Sequence, residues 1–367
     1  MRKLKILQVL PELNSGGVER GTLEIARYLS SNCHESVVIS NGGRMVSQLE
    51  KEGSRHIELP VHRKSPLGLM AIPRLRKILL DESPDIVHAR SRIPAWMVYL
   101  SVMRMNSKDR PRFVTTVHGF HSVNPYSAIM TNGDAVICVS NSIKNYVLEN
   151  YPKTNPERLQ LIPRGICSNE FNDSYKPDRQ WLRNWYSMHP STSGKKLLLL
   201  AGRISQLKGH DDFLLLLSRL PPSFHGVVVG SIHPKKLKFF SRLKEKIKEL
   251  NIHDRITFTG PSCEMQAVYS ICHATLSLSK KPESFGRTVL ESLASGCPAI
   301  GYSHGGVGEI LSTCFPFGVV NFQDREALVH KVLTLEKSRD KIMKISDFSL
   351  KRMQSETLSL YAKLISK

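Results

Sequence analysis

Short apolar runs alternate with amphipathic stretches along almost the whole chain, and this alternation restricts the fold more than any other feature. Runs at 4–10, 36–40, 55–59, 85–89, 113–117, 135–139 and 159–162 read as strands, with helical patterns between them, for example over 18–30 and 141–150. Near-continuous apolar strands separated by helices need both faces of their sheet covered, which predicts a parallel sheet with crossover helices. The pattern breaks over 175–193, where Lys176-Pro177-Asp178 and His189-Pro190-Ser191-Thr192-Ser193-Gly194 gather turn formers. A second series follows at 196–201, 227–229, 256–259, 275–278, 298–301 and 317–320, and the chain is helical by pattern from Asp324 onward. With 367 residues the chain exceeds what one core usually fills. The expectation is an α/β protein of two doubly wound, Rossmann-like domains facing each other across a cleft, at 1–185 and 186–354, with 355–367 as a final helix. Ligands of such sheets gather at the carboxyl ends of the strands.

Composition narrows the class of function. Hydrophobic residues at 41% and charged residues at 23% are ordinary for a globular protein and argue against disorder. No apolar run approaches the ~20 residues that span a bilayer. The basic start, Met1-Arg2-Lys3, resembles that of a signal peptide, but Gln8, Pro11 and Glu12 cut its apolar part short, so it reads as a first buried strand. Seven cysteines without a Cys-x-x-Cys pair, several of them in apolar runs, suit core thiols of a reducing cytoplasm. Neither an Asp-x-Asp after a strand nor a His/Cys cluster with ligand spacing is seen, so metal-independent chemistry is expected, with no cofactor. The net charge of +20 fits attraction to nucleotide phosphates, to an anionic membrane surface or to nucleic acid, and does not choose among them.

The strand ends carry the chemistry. Glu283 and Glu291 flank Ser284-Phe285-Gly286-Arg287-Thr288, which begins like a helix with Ser284 as N-cap and Gly296 as stop. The backbone from Phe285 to Thr288 offers N–H groups at a helix N-terminus, where anions are stabilised. Two glutamates around an amphipathic helix are common, and it is the neighbouring features that favour a site. Gly16-Gly17 turns from the first strand into a helix, without the Gly-x-Gly-x-x-Gly pattern of a dinucleotide site. Gly202-Arg203 followed by Lys208-Gly209 opens the second domain, and an Arg fork beside a Lys point charge suits a diphosphate. His118, at a strand end before Gly119, is placed to hydrogen-bond a sugar hydroxyl. Gly305-Gly306-Val307-Gly308-Glu309 forms one more glycine-rich strand-to-helix turn.

In this order and over nearly the whole chain, these residues resemble a retaining glycosyltransferase of family 4 with the GT-B fold. The last turn departs from the family's pattern in placing Gly308 directly before Glu309. The resemblance implies that Arg203 and Lys208 hold the donor diphosphate, Glu291 the ribose, Glu283 the donor sugar, and His118 the sugar near the reaction centre. Gly16, Gly17, Phe285, Gly286, Arg287 and Thr288 are then donor-binding. It also implies a final helix that crosses back onto the first domain. The expected activity is metal-independent transfer of a hexose-type sugar from a nucleoside-diphosphate sugar to a glycan or lipid-linked acceptor of the cell envelope. The basic clusters His62-Arg63-Lys64, Arg74/Arg76/Lys77 and Arg104/Lys108/Arg110/Arg112 suggest peripheral docking at the inner face of the cytoplasmic membrane. Two rivals compete. A nucleotide-sugar epimerase needs a set of proton-moving groups that the sequence does not display, and a non-catalytic nucleic-acid-binding protein needs aromatic and basic interleaving, also missing.

Overall fold

The computed structural model describes residues 2–14, 16–62, 68, 70–262, 264–336, 341–343 and 345–366. The chain divides into two compact units, Met1–Arg164 with Lys351–Lys367, and Gly165–Leu350. In the first unit seven parallel strands, β1 (Lys5–Val9), β2 (Glu35–Ser40), β3 (Arg55–Glu58), β4 (Ile86–Ala89), β5 (Arg112–Val117), β6 (Ala135–Cys138) and β7 (Leu159–Leu161), lie in the order β3-β2-β1-β4-β5-β6-β7. Ile6 pairs with both Ser36 and Ile86, all in parallel, and the order in which successive strands are laid down reverses between β1 and β4. The carboxyl ends of those two strands form the unit's topological switch point.

The second unit repeats the plan with β8 (Lys196–Ala201), β9 (Phe224–Val229), β10 (Ile256–Gly260), β11 (Ala274–Ser277), β12 (Ala299–Tyr302) and β13 (Val319–Val320), in the order β10-β9-β8-β11-β12-β13. Its switch point lies between β8 and β11, where Leu198 pairs with Gly226 on one side and Ala274 on the other. Residues Leu197 to Leu200 are all buried, as strands covered on both faces require. β9 begins earlier than the apolar pattern suggests, because His225 is buried and hydrogen-bonded to Thr257 Oγ1 at 2.8 Å. β13 is shorter than predicted, since Pro316–Gly318 forms a 3₁₀ turn and Pro316 has no N–H for a ladder.

The polar, turn-rich stretch predicted as a boundary belongs to the second unit. Ile166 N–H donates to Phe348 O (3.0 Å) and Ile166 O accepts from Leu350 N–H (2.9 Å), while Trp185 in the helix Arg179–Met188 is buried. Turn formers there report an exposed surface rather than the edge of a core. The final helix, Leu350–Ile365, belongs to the first unit from Lys351 on: Tyr361 is fully buried with its hydroxyl 2.7 Å from His88 Nδ1, and Gln354 donates to Glu24 O at 2.9 Å. Among the described residues no helix is long and apolar enough to cross a membrane.

Candidate functional site

In the second unit three loops meet at the carboxyl ends of β8, β11 and β12. The loop after β8 needs glycine twice: Gly202 has φ +134°, and Gly209 has φ +73° with a Cβ position only 1.9 Å from Leu278 O. Lys280 N–H donates to Leu207 O at 2.7 Å, which joins this loop to the one after β11. The β11 loop in turn pairs with the N-terminus of the helix Gly305–Cys314, through a parallel bridge between Glu283 and Gly305 and a 2.7 Å hydrogen bond from Gly306 N–H to Glu283 O.

This packing carries Lys208 to Glu283, with Nζ 2.7 Å from Oε1. The Ser279 hydroxyl donates to the same oxygen. Burial pushes the Glu283 carboxyl toward a higher pKa, but the Lys208 charge and the hydrogen bonds from Lys208 and Ser279 together outweigh it and hold the group below the usual carboxylate range. Glu283 is therefore an ionised acceptor whose second oxygen has no partner among the described side chains. Arg203 is exposed and makes no hydrogen bond or ion pair among the described residues.

The helix after the β11 loop starts later than predicted. It spans Arg287–Ala294, and its N-cap is Gly286 in the left-handed region (φ 99°, ψ 46°), not Ser284. The pairing of Glu283 with Gly305 fixes the backbone just ahead of the helix, the chain bends at Ser284 and Phe285, and Gly286 in the left-handed region makes the final turn into the helix. A glycine cap supplies no side-chain acceptor, so no capping side chain closes the N-terminus of this helix. The Phe285 side chain is buried edge-on against Phe348, which leaves its backbone as the part able to face a ligand. Glu291 is buried and engaged on both oxygens, by Arg287 Nε at 2.7 Å and the Tyr269 hydroxyl at 3.2 Å. Burial, and after it the Glu291 charge, push the Tyr269 phenol well above its usual pKa, so it stays a donor.

Asp212 has a part that sequence reasoning did not assign. It is almost fully buried and receives Tyr302 Oη (3.0 Å), Lys280 Nζ (3.2 Å) and Arg325 Nη2 (3.2 Å), which anchors Lys280 in the β11 loop. An acid in the first turn of the helix His210–Arg219 has a sufficient local reading at the positive helix end, and nothing in the sequence marks its distant partners.

In the first unit, Gly16 (φ +146°) and Gly17 lead from β1 into the helix Gly17–Ser31, and His118 follows β5. The residue that unites them is Arg164, just past β7 and absent from the predicted set. Its Nη1 donates to Gly17 O at 2.6 Å and its Nη2 lies 2.8 Å from His118 Nδ1. A Cβ on Gly17 would sit 2.6 Å from that Nη1, so glycine is what admits the guanidinium. The available signal was Pro163-Arg164-Gly165 at a strand end, an echo of Gly202-Arg203. Beneath them, buried Arg90 donates through Nε to Gln8 Oε1 at 2.9 Å. Burial, then the Arg164 and Arg90 charges, hold His118 well below the usual histidine pKa.

Residues 15–170 match the sequence profile of Glycosyltransferase Family 4, and residues 185–352 that of Glycosyl transferases group 1. The crystal structure of a glycosyltransferase from Rickettsia africae ESF-5 is 32% identical, covers 100% of this chain and 99% of its own, and superposes with a TM-score of 0.87. N-acetyl-alpha-D-glucosaminyl L-malate synthase of Bacillus anthracis is 25% identical over 84% of this chain and 81% of its own length. The Anabaena protein Alr3699/HepE, solved in complex with UDP and glucose, is 16% identical, covers 98% of this chain and 100% of its own, and has a TM-score of 0.81. The chain belongs to the family 4, group 1 glycosyltransferases, with the GT-B fold of two Rossmann-like domains, and is a transferase.

Proposed function

We propose that this transferase moves a hexose-type sugar, with retention of anomeric configuration, from a nucleoside-diphosphate sugar to a glycan or glycolipid acceptor of the cell envelope. The observation that carries the reading is the ion pair of Lys208 with Glu283 at the β8/β11 switch point, beside the exposed Arg203. The complex of HepE with UDP and glucose supports the class of donor.

In this account Lys208 keeps two N–H donors beyond the one facing Glu283, and Arg203 brings a planar fork, so both bind the departing diphosphate as its charge grows. The N-terminus of the helix Arg287–Ala294, which no capping side chain closes, adds a fixed dipole of the same sign. Glu283 accepts a donor-sugar hydroxyl with its open oxygen. Glu291, held rigid by Arg287 and Tyr269, presents its remaining lone pairs to the ribose. Gly16 and Gly17 allow close backbone approach in the first unit, and His118 hydrogen-bonds the sugar. The acceptor attacks from the face that the diphosphate leaves, without a covalent glycosyl-enzyme. These cations take the place that a divalent metal holds in other transferases, so no metal and no cofactor is needed.

The test is release of nucleoside diphosphate from a panel of nucleoside-diphosphate sugars, each assayed with and without excess chelator. One or a few donors are expected to turn over equally in both. If none turns over, the donor assignment fails. If chelation abolishes turnover and magnesium or manganese restores it, the electrostatic account fails.

The basic surface of the first unit supports docking at the inner, cytoplasmic face of an anionic membrane. Arg76, Lys77 and Arg104 line a cavity of about 270 Å³ with Ile72, Pro73 and Leu80, and Met70 and Met103 nearby in sequence are exposed. Arg63 and Lys64, of the same basic set, lie outside the described residues. Each cation near such a surface contributes about 1 kcal/mol. Neutralising Arg63, Lys64, Arg74, Arg76 and Lys77 together should therefore release the protein from phosphatidylglycerol vesicles in a sedimentation assay, and raised salt should release the parent. A parent that stays in the supernatant at low salt, or a variant that binds as well as the parent, assigns the basic surface to another partner.

A further inference from the structure

His118 has two ring nitrogens in opposite circumstances. Nδ1 faces Arg164 Nη2 at 2.8 Å, whereas Nε2 is buried and has no hydrogen-bond partner among the described residues. The direction of the first contact is settled by chemistry, because a guanidinium is donor-only and stays protonated in proteins. Nδ1 must therefore offer its lone pair, and in the neutral ring the proton then sits on Nε2. A buried N–H without an acceptor is costly, and such orphans are rare unless something else completes them. The guanidinium cannot turn away, since its Nη1 is held by Gly17 O at 2.6 Å.

We infer that Arg164 is a positioning residue that locks His118 as the Nε2–H tautomer, so that His118 meets the substrate as a neutral hydrogen-bond donor to an oxygen atom and not as a proton acceptor. The tautomer assignment stands on the geometry alone; the identity of that oxygen, a sugar hydroxyl, rests on the proposed sugar transfer. The charged and titratable groups around the ring agree. Arg164, Arg90, His88 and His121 all disfavour an imidazolium there, and burial disfavours it more than any of them. Protonating Nδ1 would also aim an N–H at a guanidinium. This gives Gly17 a second role: its missing Cβ admits the group that fixes His118.

Long-range proton–nitrogen correlation spectra of the full chain labelled with ¹⁵N-histidine read the tautomer directly, with His118 assigned from the signal lost in His118→Asn. The parent should show an unprotonated Nδ1 and a protonated Nε2, unchanged from about pH 8 down to about pH 5, the range in which an ordinary histidine titrates. Arg164→Gln should show mixed tautomers and a titration moved back toward the usual histidine range. Arg164→Lys, which keeps a cationic donor, should restore the Nε2–H pattern. Turnover of Arg164→Gln should fall by roughly ten- to a hundredfold, as for other partners that orient a functional histidine, and its pH–rate profile should gain a histidine inflection. A parent His118 that is protonated on Nδ1, or is charged at neutral pH, overturns the inference whether or not the Arg164 variants fold. So does an Arg164→Gln spectrum like that of the parent. The predicted tautomer in a protein that transfers no sugar would instead retain the inference and refute the proposed function.

Discussion

Lys208→Ala is expected to lower turnover by ~100-fold or more while leaving the fold intact, a loss of about 2.7 kcal/mol of transition-state stabilisation. The ammonium lies 2.7 Å from Glu283 and faces the proposed diphosphate, so the substitution removes two interactions at once. The Ser279 hydrogen bond and the smaller electrostatic effect of His304 then remain to hold Glu283 against a burial effect that pushes its pKa upward. The carboxyl is ionised in the parent because its pKa is depressed. In the variant the pKa rises, and whatever activity depends on the ionised form is lost at a higher pH than in the parent. The measurement is kcat and kcat/KM across pH, with thermal unfolding to establish that the variant is folded. Near-parental turnover in a folded Lys208→Ala protein would remove Lys208 from the site.

The second large effect is expected from Gly306→Ala. An added Cβ would lie 2.3 Å from Phe285 O and 2.4 Å from Phe285 Cα, both backbone atoms that cannot rotate aside. The β11 loop must then retreat, weakening the bond from Gly306 N–H to Glu283 O that holds Glu283 in place. Overpacking of this kind costs about 1–3 kcal/mol, and misplacing a substrate-binding group by 1 Å can cost ~100-fold in rate. Activity should therefore fall by far more than the fraction unfolded at the assay temperature. Gly119→Ala is the control for stability: no atom lies within 4 Å of its Cβ position, and unfolding should be nearly unchanged. Equal effects of the two substitutions would mean that the close approach at Gly306 does not position the site.

What the sequence disclosed follows from what a parallel sheet makes local. Strands covered on both faces are apolar throughout, so 196–201 and 135–139 are visible as runs and appear as Lys196–Ala201 and Ala135–Cys138. Parallel strands put their ligands at one end, so His118, Lys208 and Glu283 were identifiable as residues that follow strands. Their partners were not. Lys208 and Glu283 are 75 positions apart, and Arg164 is 147 from Gly17 and 46 from His118, distances that only the strand order closes. Ser284 looked like a helix cap because local pattern favours it. The pairing of Glu283 with Gly305 overrode that preference and moved the start to Gly286. Glu291 was legible as a helix residue, but its burial between Arg287 and Tyr269 was not. Asp212 and Arg164 escaped notice because each had an adequate local explanation, as a first-turn acid and as one more cation in a chain of net charge +20.

The configuration of the transferred sugar tests the central claim most directly. A donor that turns over in the panel can be followed by proton nuclear magnetic resonance, reading the coupling of the anomeric proton in the first product formed, before free sugar equilibrates. Departure of the diphosphate toward Arg203 and Lys208, with attack from the same face, predicts that the product keeps the donor's anomeric configuration and that Lys208→Ala slows its appearance without changing it. A product of inverted configuration would contradict the account, because it requires attack from the face opposite the diphosphate and a base there to take the acceptor's proton.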